Sequence, residues 1–528
     1  MVAYGAADKE KIANGEIAST ATLDDAMSYT GVGLYNIAHM LVCGTILMGM
    51  IMQSLVLGYV IPAAQCDLEL TLSQRGWLSA MPFIAIILTS HLWGWLADTR
   101  GRRPVMRYTM VLSFLLSVVS SFSPNLAVFA VFQFLSSVFM SASSALTYTY
   151  LGEFNNLQHR DKMVTFGASF VGIGTVVLPA LSWLILPLEF AYPIPFLGID
   201  YRPWRLLVVV CAVPFALGPI LLTFAPESPK YLNATGQLQA CLDVVKKMYA
   251  VNKRAPAEQF PVKMLINENQ TSSSESKTGK VGIWASMRDQ TVPLFKMPLL
   301  PWMLLTCFVQ FGIFASVNGF YVWFPTILNA LANHEGQDSG ICDILDATTA
   351  QSDNGTAIVC DDTMNTDTFE RSIYIGLVFC SMYIIVGFLV DFLGKKLILI
   401  VIIGASGICG ICAHVVQSQQ SGVILFAIFQ MSGSCIGLMN AVAVGLFPTK
   451  YRGMAICLSM MMGRVGSVLG SNLIGVFLKV NCGAGFYMFG GILILCALLC
   501  FTLPGKAKSK GATKQTEEPA QNETHEPV

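Results

Sequence analysis

One apolar run ends and the next begins at the segment Gly94-Trp95-Leu96-Ala97-Asp98-Thr99-Arg100-Gly101-Arg102-Arg103. A weaker copy, Gly387-Phe388-Leu389-Val390-Asp391-Phe392-Leu393-Gly394-Lys395-Lys396, lies 293 residues further along the chain. The same offset relates Gly152 to Gly445, and a phenylalanine follows each of these glycines two residues later. Two motifs in one order and at one offset indicate an internal repeat, so we expect two related halves.

The composition places the chain in a bilayer. Of the 528 residues, 54% are hydrophobic and 12% are charged, and the mean hydropathy is +0.60. A soluble protein carries about 25% charged residues, which argues strongly against a soluble enzyme. We see no nucleophile–base arrangement or metal-ligand cluster that would favour a membrane enzyme. The 32 Lys and Arg balance 32 Asp and Glu, which argues against a nucleic-acid partner because such a partner requires a basic face.

Twelve windows are long and apolar enough to cross a bilayer, which takes about 20 residues of helix. The first six are residues 33–60, 76–97, 104–123, 126–150, 164–187 and 204–225. The second six are residues 300–325, 372–392, 397–416, 422–446, 454–478 and 484–503. The prediction is an all-α polytopic membrane protein with twelve transmembrane helices in two six-helix repeat halves.

The distribution of Lys and Arg predicts the orientation. With the N-terminus in the cytoplasm, 26 of the 32 Lys and Arg lie on the cytoplasmic side and five on the opposite side. Both termini are therefore expected in the cytoplasm. Residues 237–250 show apolar side chains at helical spacing and predict an amphipathic cytoplasmic helix. The expected organisation is a tail at 1–32, a first half at 33–225, a cytoplasmic loop at 226–298, a second half at 299–503 and a tail at 504–528.

The connection between the seventh and eighth spans, residues 326–371, fits the opposite side of the membrane. It holds nine acidic residues and no basic residue before Arg371. It also holds Asn354-Gly355-Thr356, a glycosylation acceptor that is used only on the extracellular or lumenal side. Cys342 and Cys360 share this loop in an oxidising compartment, so we expect a disulfide between them, with two free thiols as the alternative.

The motif at 94–103, its copy and the twelve spans resemble the major facilitator superfamily of transporters. Pro226-Glu227-Ser228-Pro229-Lys230-Tyr231-Leu232, after the sixth span, is similar to an element shared by sugar porters, organic ion transporters and synaptic vesicle glycoprotein 2-like proteins. Within that group, residues 58–64, 446–453 and 463–466 are most similar to the synaptic vesicle glycoprotein 2-like branch. The resemblance covers residues 33–503.

Two departures from that branch bear on function. The branch carries two acidic residues in the first span, where this chain has Met50 and Gln53. Proton coupling through carboxylates of that span is therefore not expected. The vesicle glycoproteins also carry a large lumenal domain between the seventh and eighth spans, where this chain has only about 45 residues.

The resemblance implies a gate on the cytoplasmic side. Charged residues of the repeated motifs would hold this gate shut while the cavity opens outward, because an acid there can pair with Arg or with the positive N-terminus of a helix. The alternative is that these charges merely snorkel to the membrane interface. The residues implied are Asp98, Arg102, Arg103, Glu153, Arg160 and Glu227, with Asp391, Lys395 and Arg452 as the weaker copy.

The resemblance also implies a central cavity lined by spans one, four, seven and ten, and substrates of such folds bind near its midplane. The side chains expected to contact substrate are Gln53, Gln310, Asn318, Tyr321, Trp323 and Asn440, together with Arg464 of span eleven. Other polar residues of these spans, His39 and Gln430 among them, equally fit helix–helix contacts. An unperturbed histidine would suit proton coupling, but a satisfied core histidine is the preferred interpretation of His39.

Arg464 is the most distinctive of these candidates, because it is a charged residue within a span. It lies ~14 Å into its span at 1.5 Å per residue, close to the centre of a ~30 Å hydrocarbon core. An intramembrane charge is costly and is by default a functional hypothesis. An anionic substrate is one candidate partner for Arg464, and backbone carbonyls or an acid from elsewhere in the chain are the other.

The sequence thus predicts a secondary-active or facilitative transporter that moves a small organic solute by alternating access, with an organic anion among the candidates. Facilitated diffusion or exchange is the simpler mechanism. The alternative is a transport-inactive, synaptic-vesicle-type membrane protein with a transporter fold that acts as a regulator or binding partner. The expected partners are the lipid bilayer and the solute, without a cofactor. A monomer in the plasma membrane or a vesicle membrane is expected.

Overall fold

A computed structural model describes residues 20–156, 158–266, 288–289, 291–333, 340–345 and 364–504. Within these ranges, twelve helices are long and apolar enough to cross a membrane. The first six are span 1 (Leu34–Leu55, continued by Leu57–Ala63), span 2 (Leu72–Arg100), span 3 (Arg102–Ser121), span 4 (Leu126–Glu153), span 5 (Arg160–Ile185) and span 6 (Pro203–Phe224). The predicted all-α, twelve-span architecture is confirmed.

The second six spans follow the same order. They are span 7 (Leu300–Ala332), span 8 (Thr366–Leu393), span 9 (Lys395–Val415), span 10 (Gln419–Gln430 and Cys435–Leu446, joined by the 3-10 turn Met431–Ser434), span 11 (Thr449–Val480) and span 12 (Cys482–Cys500). The span ends that carry the repeated motif define the motif side of the molecule, and the opposite ends define the far side.

Several helices extend beyond the apolar windows because capping residues, rather than hydrophobicity, end them. Span 2 starts at Leu72, four residues before the predicted window. Its N-cap Thr71 accepts a hydrogen bond from the Gln74 amide through its hydroxyl (3.4 Å), and the Gln74 side chain accepts one from the Thr71 amide (2.9 Å). This reciprocal pair is a capping box, which satisfies two amides at the helix start.

The repeat is visible in the backbone. Gly101 links spans 2 and 3 with φ of +95°, and Gly394 links spans 8 and 9 with φ of +79°. These residues are 293 positions apart in the sequence. A positive φ of this kind is readily adopted only by glycine, so the two motifs need glycine here to turn one span directly into the next.

The last basic residue of each motif binds the end of the sixth helix in its own half. The Arg103 guanidinium donates to the carbonyls of Leu222 (2.9 Å) and Thr223 (2.8 Å) at the end of span 6. The Lys396 ammonium donates to the carbonyls of Phe501 (2.7 Å) and Leu503 (2.5 Å) at the end of span 12. Carbonyls at a helix C-terminus lack partners inside the helix, so each motif ties the third helix of its half to the sixth.

Each half has its own apolar core. In the second half, Phe320 of span 7 lies at its centre and is buried to 1% exposure. Its ring packs against Phe426, Phe429, Phe486 and Phe489, with ring centroids 5.1 to 5.6 Å apart. Aromatic pairs at such distances add to the energy of burial, so spans 7, 10 and 12 form one packed unit.

The two halves approach closely where glycines remove side-chain volume. On spans 5 and 8, a Cβ at Gly376 would lie 2.6 Å from the Thr175 carbonyl oxygen, and one at Gly172 would lie 2.9 Å from the Cys380 Cα. On spans 2 and 11, a Cβ at Gly76 would lie 2.9 Å from the Asn472 side-chain oxygen. Small residues allow membrane helices to pack backbone to backbone, so these glycines bring helices of the two halves into close contact.

A small cap covers the motif side of the first half. It comprises the helices Leu23–Thr30 and Leu238–Lys253 and a parallel pair of short strands, Thr20–Ala21 and Met264–Leu265. The second helix matches the amphipathic helix predicted at 237–250. Burial raises the pKa of its Cys241 thiol to about 12, so the thiol stays protonated and donates to the Pro229 carbonyl (3.2 Å).

Asn252 fastens this cap to the membrane helices. Its side-chain oxygen accepts from the Tyr35 amide at the start of span 1 (2.9 Å), and its amide group donates to the Asn36 side chain (2.8 Å). Asn36 in turn donates to the Phe154 carbonyl at the end of span 4 (3.0 Å). The cap and the motif-side ends of spans 1 and 4 are therefore held together by one polar chain.

On the far side, one disulfide differs from the prediction. Cys342 is bonded to Cys482, with the two Cα atoms 5.5 Å apart. The predicted pairing of Cys342 with Cys360 is therefore wrong, and Cys360 itself lies outside the described residues. The prediction considered only cysteines of one loop, whereas Cys482 begins span 12 on the same side of the membrane and lies close in space. Cys66, after span 1, is also disulfide-bonded.

Candidate functional site

Glu227 caps the start of span 3. Its carboxylate accepts hydrogen bonds from the backbone amides of Arg102 (3.1 Å), Arg103 (3.3 Å) and Ser228 (2.8 Å). These amides include the first of span 3, which have no partner inside the helix. A negative charge at this point also meets the positive end of the helix dipole, so Glu227 fixes the turn between spans 2 and 3.

Arg102 joins two carboxylates on the motif side. Its Nε lies 2.9 Å from a Glu153 oxygen at the end of span 4, and another guanidinium nitrogen lies 3.0 Å from Asp98. The same Glu153 oxygen accepts from the Ser228 hydroxyl (2.5 Å). Glu153 is 5% exposed, whereas the Asp98 side chain is 70% exposed. Arg160 adds a favourable electrostatic interaction with Glu153.

Six predicted gate residues thus lie in one network, and all of them belong to the first half and the segment that follows it. In the second half, Lys395 donates to the Ala441 carbonyl (3.2 Å). The side chains of Asp391 and Arg452 lie outside the described part of the structure.

The halves also contact each other on the far side. The Tyr321 hydroxyl of span 7 donates to the Thr175 carbonyl of span 5 (3.4 Å). Gly58 of span 1 lies against the backbone of Val322, where a Cβ would come within 3.0 Å of the carbonyl oxygen. The halves are therefore closed on the far side, and near the motif side spans 5 and 8 remain in contact through Phe166 and Phe388, whose ring centroids lie 6.2 Å apart.

Two predicted substrate residues lie inside helix–helix contacts. Gln53 is 1% exposed and donates to the hydroxyls of Ser117 (2.7 Å) and Ser136 (3.5 Å) within the first half. The Trp323 indole is 4% exposed and donates to the Ser471 carbonyl (2.7 Å) within the second half. Both side chains connect helices of one half.

Of the other predicted residues, Tyr321 lies at the contact with span 5 described above, and the remainder lie between spans 7, 10 and 11. The Gln310 amide donates to the Asn440 side-chain oxygen (2.8 Å), and Asn440 is partly exposed. About two turns further along span 7, Asn318 donates to the Ser467 hydroxyl of span 11 (3.0 Å). Gln310, Asn318 and Asn440 therefore form a polar seam in the second half.

Arg464 lies beside this seam at the middle of its helix. It is the sixteenth of the 32 residues of span 11, roughly 22 Å from either end at 1.5 Å per residue. Its guanidinium lies over the Phe314 ring, 5.0 Å from the centroid. It is partly exposed, and none of the described carboxylates lies within ion-pairing distance of it.

Tyr148 connects Arg464 to the first half. Tyr148 lies on span 4, near Arg464 and near Tyr383 of span 8. The Tyr383 hydroxyl donates to the Gly433 carbonyl in the 3-10 turn of span 10 (3.3 Å). These aromatic residues were missed by the sequence analysis, which ranked charged and amide side chains. The repeat did not mark Tyr148, because Tyr148 lies outside the repeated motifs.

Two further residues, on spans expected to line the cavity, lie in different environments. His39 is 5% exposed, and its ring packs against Phe154 and Tyr150 with centroids 4.1 and 4.9 Å away. This is the environment of a core histidine. Gln430 is 2% exposed, and both of its side-chain polar atoms lack a hydrogen-bond partner. Such a buried amide is costly, so Gln430, at the end of the first segment of span 10, has unused capacity for a ligand or water.

The fold and this site define a membrane transporter architecture. A family model described as the Major Facilitator Superfamily matches residues 41–341 and 372–525. The chain belongs to the major facilitator superfamily.

Curated relatives place it near one group of this superfamily. Synaptic vesicle glycoprotein 2C of Mus musculus is 26% identical over 325 residues, which cover 58% of this chain and 44% of the relative. Synaptic vesicle glycoprotein 2A of Homo sapiens is 28% identical over 323 residues, covering 57% of this chain and 43% of the relative. The match spans less than half the length of these relatives.

Solved structures share the fold. A partially occluded inward-open conformation of the xylose transporter XylE from E. coli superposes with a TM-score of 0.63 at 15% identity, covering 90% of this chain and 99% of that one. A crystal structure of a D-xylose-proton symporter gives a TM-score of 0.61 at 16% identity, covering 91% and 100%. These likenesses concern the arrangement of helices.

Proposed function

We propose that this chain moves a small organic solute across the membrane by alternating access, and that Arg464 binds an acidic group of that solute. The observation that carries the proposal is a half-buried cation at mid-membrane that no described carboxylate neutralises. A charge in the bilayer core is retained when it faces a partner or a water-filled cavity. A solute carboxylate or sulfonate would supply that partner.

The surroundings of Arg464 support this class of solute. Phe314 covers one face of the guanidinium, and Tyr148 approaches it from the other half. A solute held here would contact both halves and so would couple its binding to their relative position. Aromatic walls with one cation fit an organic anion with an apolar body.

Alternating access is supported by the contacts at the two ends. The far side is closed through Tyr321 and Gly58, while the exposed carboxylate of Asp98 on the motif side pairs within its own half, with Arg102. This is the arrangement expected when the cavity opens to the motif side. In the opposite state, the exposed carboxylate of Asp98 would pair with the second half, with Lys395 and Arg452 as candidate partners. The network around Arg102 would hold that loop in shape in both states.

The driving force that we propose is the solute gradient itself. Met50 and Gln53 offer no carboxylate in span 1, and His39 is enclosed by aromatic rings. Facilitated diffusion or exchange therefore requires the fewest assumptions. The relatives named as synaptic vesicle glycoproteins keep a second proposal open, in which the chain binds a ligand without moving it.

Uptake into proteoliposomes tests the proposal. Purified protein is reconstituted and offered panels of organic anions, organic cations and neutral sugars, with protein-free liposomes as the control. We expect saturable uptake of at least one organic anion and no dependence on a proton gradient. If every solute enters at the protein-free rate while an organic anion still binds, the transport-inactive alternative is favoured.

We also propose that the motif side faces the cytoplasm, in the plasma membrane or a vesicle membrane. Asn354 lies outside the described residues, and its acceptor triplet provides the test. Expression in mammalian cells should give a glycosylated protein whose mass falls after N-glycosidase treatment, and Asn354→Gln should abolish the difference. As a control, Asn233→Gln should leave the glycan in place, because Asn233 lies in the short helix Pro229–Ala234 that follows span 6 on the motif side. If the glycan were lost in Asn233→Gln and kept in Asn354→Gln, the motif side would face away from the cytoplasm, which would contradict this orientation.

A further inference from the structure

A crevice lies between spans 2 and 11 on the far side. It has a volume of about 400 Å³ and is lined by Ser73, Trp77, Asn472, Gly475, Val476 and Lys479, among others. Because spans 2 and 11 belong to different halves, the crevice straddles the contact between them. None of the residues discussed for the central site lines it.

Two glycines shape the crevice. Gly76 lies against the Asn472 side chain, and a Cβ at Gly475 would meet the Trp323 ring at 2.5 Å. The two helices therefore touch through Gly76, and Gly475 of span 11 lies against the Trp323 ring of span 7. A larger residue at either position would remove this space or separate the helices.

The crevice is polar at its mouth and apolar along its walls. Lys479 lies one residue from the end of span 11, and Ser73 is the second residue of span 2, so both are near the membrane surface. Trp77 and Val476 lie about one helical turn deeper. They are 57% and 56% exposed, and in a membrane these apolar surfaces face lipid rather than water.

The ammonium group of Lys479 is available to bind an anionic group. Two other cations of the far side are engaged: Arg202 pairs with Asp67 (2.9 Å), and Arg205 donates to the carbonyls of Ser121 and Ser123. Lys479 is exposed and forms no ion pair with any of the residues that the structure describes. An ammonium in this position is available to an anionic group at headgroup level.

We propose that this crevice binds one phospholipid of the far-side leaflet. Lys479 would bind the phosphate, and an acyl chain would lie against Trp77 and Val476. The charge-assisted contact at the mouth and the apolar wall below it match the two ends of this molecule. Since the lipid would contact spans 2 and 11 together, it would stabilise the closed far side.

Native mass spectrometry of the full-length protein in detergent tests the proposal. The protein is titrated with phosphatidylcholine or with a diacylglycerol of the same chains, which lacks the phosphate. We expect one retained phosphatidylcholine that binds about tenfold more tightly than diacylglycerol, as for loss of one charge-assisted contact. Lys479→Ala should lower phosphatidylcholine to the diacylglycerol level, and Val476→Trp, which fills the crevice from an exposed position, should remove the tight binding of both lipids.

Lys247→Ala, which removes an exposed ammonium from the cap, is the matched control and should bind as the unaltered chain does. The proposal is overturned if Lys479→Ala keeps the preference for phosphatidylcholine, or if Val476→Trp leaves binding unchanged. Displacement of the lipid by inorganic phosphate would assign the site to a free anion and would equally overturn it.

Discussion

Replacing Arg464 with alanine is expected to abolish uptake of the transported organic anion, with a loss of at least about 100-fold at limiting concentration. Removing the partner of a buried charge costs about 2–5 kcal/mol, and 100-fold corresponds to about 2.7 kcal/mol. Because Arg464 makes no ion pair with the described residues, its removal leaves no protein carboxylate unpaired. The variant should therefore reach the membrane in normal amounts, and initial uptake rates per molecule measure the effect.

Two companion variants separate charge from shape at this position. Arg464→Lys keeps the charge but loses the planar guanidinium that lies over Phe314, so we expect intermediate uptake. Arg254→Gln, which removes an exposed guanidinium in the cap, should transport as the unaltered chain does. Undiminished anion uptake by Arg464→Ala would show that the solute is recognised elsewhere.

Replacing Arg102 with alanine is expected to destabilise the fold by about 3–5 kcal/mol, because it leaves the buried carboxylate of Glu153 without its guanidinium. Only the Ser228 hydroxyl would remain close to the Glu153 oxygen that now pairs with Arg102. The apparent melting temperature of the purified protein in detergent measures this effect and should fall by several degrees. A smaller change would mean that water reaches Glu153.

The matched controls for Arg102 use its two acidic partners. Asp98→Asn removes the exposed partner, and exposed ion pairs contribute little, so the melting temperature should hardly change. The double variant with Arg102→Leu and Glu153→Leu removes both buried charges and should recover most of the lost stability. If the double variant melts as low as the single one, the lost stability comes from packing rather than from the unpaired charge.

The architecture could be predicted from the sequence because its signals are local. Apolar windows of about 20 residues mark the spans, and the offset of 293 residues that relates Gly101 to Gly394 recurs in the backbone conformation. Arg102, Glu153 and Glu227 were predicted as gate residues because the resemblance to the family implies a gate at these motifs. Their contacts with one another required the structure.

The direction of individual side chains could not be predicted. Membrane helices such as span 7 are apolar on nearly every face, so sequence periodicity does not reveal which face meets the cavity. Gln53 and Trp323 were expected to contact substrate, yet they connect helices within one half. The partner of Cys342 was missed for a related reason, because Cys482 is 140 residues away in the chain.

The contact of Tyr321 with Thr175 has an energetic consequence for the working cycle. It is a long hydrogen bond between the two halves, and glycines line much of the boundary where spans 5 and 8 and spans 2 and 11 meet. Rocking one bundle over the other therefore exchanges mainly apolar surface contacts and breaks few polar bonds. Rearrangement inside a bundle would break many such bonds, so the easiest path for the molecule is to swing as two stiff blocks.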